Sequence, residues 1–78
     1  MTPYFVITNY YPEDAKEIIR RSEALLGENH IESKNDLVKK EINIHIKHST
    51  PMSAFDKVES MIKESFAPHN ILVTLEIP

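Results

Sequence analysis

Apolar residues recur along this chain with two different spacings, and the changes between them delimit the elements. Residues 4–11, Tyr-Phe-Val-Ile-Thr-Asn-Tyr-Tyr, are aromatic and β-branched and read as a strand that runs to Pro12. Pro12 suits a first helical position, because the helix has no use for the N–H that proline lacks. Glu13 and Asp14 then place negative charge at the positive end of the helix dipole. Ala15, Ile18, Ile19, Ser22, Leu25 and Leu26 follow at helical spacing, with Asp14, Glu17, Arg21 and Glu28 on the opposite side. Gly27, the only glycine, stands where a left-handed residue would end the helix.

Residues 28–37 are polar. His30–Asn35 reads as a short charged edge strand, with Asn35-Asp36 as the hairpin turn and a plain loop as the alternative. From Val38 to His48 the alternation is clean. Ile42, Ile44 and Ile46 point one way, while Lys39, Glu41, Asn43, His45 and Lys47 point the other. Ser49-Thr50-Pro51 breaks this strand. A second helix is expected from about Ser53, with Asp56 three residues on in the manner of a capping box. Its apolar stripe is Phe55, Val58, Ile62 and Phe66, with Met61 beside it. Ile71 to Ile77 forms the last strand, with Ile71, Val73, Leu75 and Ile77 on one face and Leu72, Thr74 and Glu76 on the other.

The order β-α-β-β-α-β, with a single apolar stripe on each helix, puts both helices in one layer against one sheet face. Right-handed crossovers then give a ferredoxin-like split βαβ sandwich, an α+β fold of two helices on a four-stranded antiparallel sheet. Its strand order is 4-1-3-2. Residues 1–78 make one domain, since a chain this short supports one core.

Composition narrows the functional classes. There is no cysteine, which excludes disulfides and thiolate metal sites and favours a reducing compartment. The N-terminal stretch has no basic segment or apolar run of signal-peptide length, and no stretch is apolar enough to span a membrane. A cytoplasmic protein without a membrane partner is expected. The net charge is −3, but residues 33–50 carry four bases against two acids. That acidic whole argues against strong nucleic-acid binding, and the basic middle leaves room for a weak, local form.

Candidate chemistry is sparse. His45 and His48, three apart on a strand, point to opposite faces and do not share a metal ion. Gly27 does not open a phosphate-binding loop, and Glu13-Asp14 is explained by dipole complementation. No serine has a glycine-flanked nucleophile context. No cofactor, metal or catalytic residue is assigned, and no motif identifies a family.

What remains is the sheet face that the helices leave open. If Phe5 and Ile7 face the helices, Tyr4, Val6, Thr8 and Tyr10 line that face, with Leu72 on one side and Asn43 and His45 on the other. In the reverse parity Phe5 and Ile7 would be exposed instead, so apolar or aromatic groups sit on the open face either way; the first parity is preferred because it buries the larger pair. The expectation is therefore a small non-catalytic interaction or regulatory module, working as a homodimer or by docking on another protein. Tyr4, Val6, Tyr10, Asn43, His45 and Leu72 would form the contact. The alternative is weak single-stranded nucleic-acid binding through Lys39 and Lys47 beside the tyrosines.

Overall fold

The computed structural model of the protein describes residues 1–78 and contains two helices on one face of a four-stranded antiparallel sheet. The strands are β1 (Tyr4–Thr8), β2 (His30–Asp36), β3 (Glu41–Ile46) and β4 (Leu72–Glu76), and the helices are α1 (Ala15–Leu26) and α2 (Met52–Ser65). The strand order β2-β3-β1-β4 is the ferredoxin-like arrangement expected from the residue pattern.

The core forms where the alternating strands meet the helical stripes. Phe5 and Ile7 of β1, Ile42, Ile44 and Ile46 of β3, and Ile71 and Val73 beside and within β4 are buried. They meet Ala15, Ile18 and Leu26 of α1 and Val58 and Ile62 of α2. Phe55, Met61, Phe66 and Leu75 pack against this cluster while half-buried. α1 packs on β2 and β3. On the other half of the sheet, the Phe55 ring of α2 stacks on Phe5 with centroids 5.3 Å apart. Arg21 of α1 lies over the Phe66 ring at the end of α2, 5.6 Å from its centroid.

Several boundaries differ from the sequence expectation, each for a local reason. β1 stops at Thr8 instead of running to Tyr11, because Asn9 takes a positive φ of 66°. Asparagine tolerates that region better than most residues, and it turns the chain out of the pleat. Pro12 opens a 3-10 turn over Pro12–Asp14 that leads into α1. The hairpin turn is not Asn35-Asp36 but residues 37–40. Asp36 ends β2, and its Oδ1 accepts from the N–H groups of Val38 and Lys39. Lys40 closes the turn at φ 57°. Val38, Lys39, Lys47 and His48 accordingly lie outside β3. α2 begins one residue earlier than expected, after Pro51, and no side chain caps it. Gly27 ends α1 with a positive φ of 56° but ψ of −127°, outside the left-handed helical well and open to glycine because it has no Cβ.

β2 also departs from a regular strand. A bulge between His30 and Glu32 shifts its register on β3. The extra residue, Ile31, is 46% exposed. His30 and Ser33, an odd number of residues apart, thereby come to the same side of the sheet.

Candidate functional site

The open face is a grid of three rows read across β4, β1, β3 and β2. The first row is Glu76, Tyr4, His45 and Glu32. The second is Thr74, Val6, Asn43 and Lys34, and the third is Leu72, Thr8, Glu41 and Asp36. Burial of Phe5 and Ile7 fixes the parity that sends Tyr4, Val6 and Thr8 outward. Five of the six expected contact residues, Tyr4, Val6, Asn43, His45 and Leu72, therefore share this face.

Tyr10 does not. The left-handed turn at Asn9 resets the alternation, so Tyr10 packs against the core on the helix side. Its hydroxyl donates a long 3.4 Å hydrogen bond to Asn35 Oδ1. Burial, with the carboxylates of Glu41 and Asp36 nearby, raises the Tyr10 pKa above its ordinary value. The ring lines a cavity of about 390 Å³ with Asn9, Ala15, Leu37 and Lys40, beyond the end of β1.

Nor does the sheet assemble the two lysines of the nucleic-acid alternative. Lys39 sits in the turn before β3 and Lys47 just beyond its far end, so the six-residue strand separates them by roughly 20 Å. The basic block read along the sequence is dispersed by folding: of its four bases only Lys34 reaches the open face, while both of its acids, Asp36 and Glu41, do. Glu32 and Glu76 complete a set of four carboxylates against one lysine. Charge summed by segment does not reveal this acidic face. The period-two series Glu32, Lys34, Asp36 carried the signal, and it needed the pairing with Glu41 to be read.

Within the first row, Tyr4 stacks on His45 with ring centroids 4.9 Å apart and planes 26° from parallel. The Thr2 hydroxyl lies 3.2 Å from His45 Nδ1, which fixes the imidazole from the strand end. Glu32 and Glu76 flank this aromatic shelf at the rim of a shallow depression of about 420 Å³. An aromatic surface between two carboxylates attracts cations through both the ring quadrupole and the flanking charges.

A second polar cluster joins β2 to α1. Ser33 Oγ donates to Glu23 Oε2 at 2.8 Å, and His30 Nε2 lies 2.8 Å from Ser33 Oγ and 3.2 Å from the same Glu23 oxygen. The residue types are those of a hydrolytic triad, but the geometry is not. A triad histidine contacts serine and carboxylate through its two different nitrogens, whereas here Nε2 faces both and the serine proton is directed at the glutamate. The cluster clasps the bulged end of β2 to the helix. On α1, Glu17 and Arg20 pair at 2.8 Å through Nε, and the guanidinium holds the Glu17 carboxyl below its ordinary pKa. No three His, Asp or Glu side chains converge to hold a metal ion. No helix is long and apolar enough to cross a membrane. No family model, curated protein or solved structure matches the chain.

Proposed function

We propose that the protein is a non-catalytic interaction module whose open sheet face docks a partner protein carrying basic side chains. The observation behind this reading is the row Glu76–Tyr4–His45–Glu32, in which a stacked aromatic pair lies between two carboxylates. A lysine or arginine of the partner would lie on the Tyr4–His45 shelf, with Val6 and Leu72 adding apolar contact beside it. Docking two copies face to face is less favourable, since each brings four carboxylates and one lysine to the contact. A polyanion meets the same repulsion, and Lys39 and Lys47 are too far apart to offset it at one point.

Titration of the isotope-labelled protein with a hexalysine peptide, and separately with an oligothymidine strand, tests the proposal. The peptide is expected to move the amide resonances of Tyr4, Val6 and His45, and the double substitution Glu32→Gln/Glu76→Gln to abolish the effect. If the oligothymidine moves these resonances and the peptide does not, nucleic-acid binding replaces the proposal. If neither does, the face is not a cation-receiving surface.

A further inference from the structure

The two outer strands of the sheet leave their backbone edges unpaired, and the phase of the ladder identifies which groups are free. The Ile46 N–H donates to the Pro3 carbonyl at 3.0 Å. In an antiparallel pair, hydrogen-bonded and non-bonded positions alternate, so odd-numbered residues of β1 face β3 and Tyr4, Val6 and Thr8 face β4. Leu72, Thr74 and Glu76 then bond inward to β1. Val73 and Leu75 direct their N–H and C=O groups to the outside. On β2, the Lys47 N–H to Asn29 carbonyl bond shows that odd-numbered residues of β3 bond toward β2; beyond the bulge these pair with Glu32, Lys34 and Asp36, which leaves the backbone groups of Ser33 and Asn35 outward.

The β2 edge carries devices that discourage pairing: the bulge and the charges of Glu32, Lys34 and Asp36. The β4 edge has no bulge and only one charge, Glu76. Residues 71–77, Ile-Leu-Val-Thr-Leu-Glu-Ile, contain one charge, no base and no proline. Apolar surface continues beside this strand on the helix side, where Met52 and Ile77 are 64% and 73% exposed next to Phe55 and Leu75.

From this we infer that the β4 edge pairs with the β4 edge of a second copy, antiparallel about Thr74, to join the two sheets into one of eight strands. The strand is self-complementary in that register. Val73 faces the partner's Leu75, and both direct free backbone groups outward. Thr74 faces the partner's Thr74 as a close, non-bonded pair, and Leu72 faces the partner's Glu76. The two Glu76 carboxylates are then about 14 Å apart along the strands, beyond a Debye length of about 8 Å at physiological salt. The pairing uses the backbone edge and leaves the open face free, so it stands or falls independently of the docking proposal.

Amide hydrogen exchange on the wild-type protein provides the test. From dilute to concentrated solution, exchange at Val73 and Leu75 is expected to slow by about ten-fold, while Ser33 and Asn35 on the β2 edge do not change. Thr74→Lys, an exposed substitution that sets two like charges face to face, should remove the concentration dependence. In a chain without cysteine, Thr74→Cys should also oxidise to a disulfide dimer much faster than Lys34→Cys, because a non-bonded antiparallel pair has Cα atoms about 4.5 Å apart. Exchange at Val73 and Leu75 that is independent of concentration would overturn the inference, as would equal cross-linking of the two cysteine variants.

Discussion

The two edges of this sheet are made of strands of opposite character, seven residues in β2 and five in β4. β2 is charged, bulged and held to α1 by the Glu23–Ser33–His30 cluster. β4 is regular, nearly uncharged and held by side-chain burial. Val73 is 6% exposed, whereas Ile31 at the bulge of β2 is 46% exposed. An edge strand needs anchoring on one side and a defined relation to water on the other, and the two strands meet these needs differently. β2 is anchored by polar contacts and protected by charge. β4 is anchored by the core, and its free edge is left able to pair.

The same truncation made on both edges should affect them very differently. Val73→Ala removes buried methyl groups and is expected to destabilise by about 2 kcal/mol, while Ile31→Ala should stay within about 0.5 kcal/mol. Urea unfolding of the two variants measures the difference, and similar midpoints would mean that both strands are held alike. A smaller effect is expected for Ser33→Ala. It removes the hydroxyl that bridges His30 and Glu23 and should cost about 1 kcal/mol. The accompanying rise in amide exchange should be confined to β2, and a rise spread equally over β4 would show that the cluster does not act locally.

The smallest effect concerns the turn end of the β2–β3 hairpin. The Tyr10 pKa is raised in the folded protein above its ordinary value of 10.0, so the folded state holds the phenol proton to higher pH than the unfolded chain. Stability from this source is fully present below pH 10.0 and is lost as pH rises through the folded-state value. Tyr10→Phe should therefore match the wild type at neutral pH and lose less stability in the alkaline range. Parallel loss in both proteins would place the Tyr10 hydroxyl in an ordinary aqueous setting.

Much of this organisation is legible in the residues. The isoleucine alternation in β3 and the stripes of α1 and α2 each define a buried face, because most residues in a series contribute to the same choice; Leu25, 44% exposed at the edge of the α1 stripe, is the exception. β1 is apolar in both parities, so its residues favour placing Phe5 and Ile7 inward only by the larger pair that this buries, and the packed sheet decides it. The position of Tyr10 is not legible. One dihedral angle, at Asn9, cancels the period-two rule for everything after it, and asparagine at a strand end does not by itself announce a left-handed turn. The hairpin is misread for a related reason. Asp36 is a turn-forming residue by type, but here its carboxylate caps the following turn from the last position of the strand.

The residue pattern suffices for the element order, the identity of most core residues and the fold class. These follow from local periodicity, and burying apolar stripes on one sheet face leaves few alternatives. The charge of the open face, the bulge that brings His30 and Ser33 together, and the backbone groups of β4 that point away from β1 emerge only on folding. Each depends on strand register between segments distant in the chain. Register is set by how the whole sheet packs against its helices, so no single stretch of residues contains it.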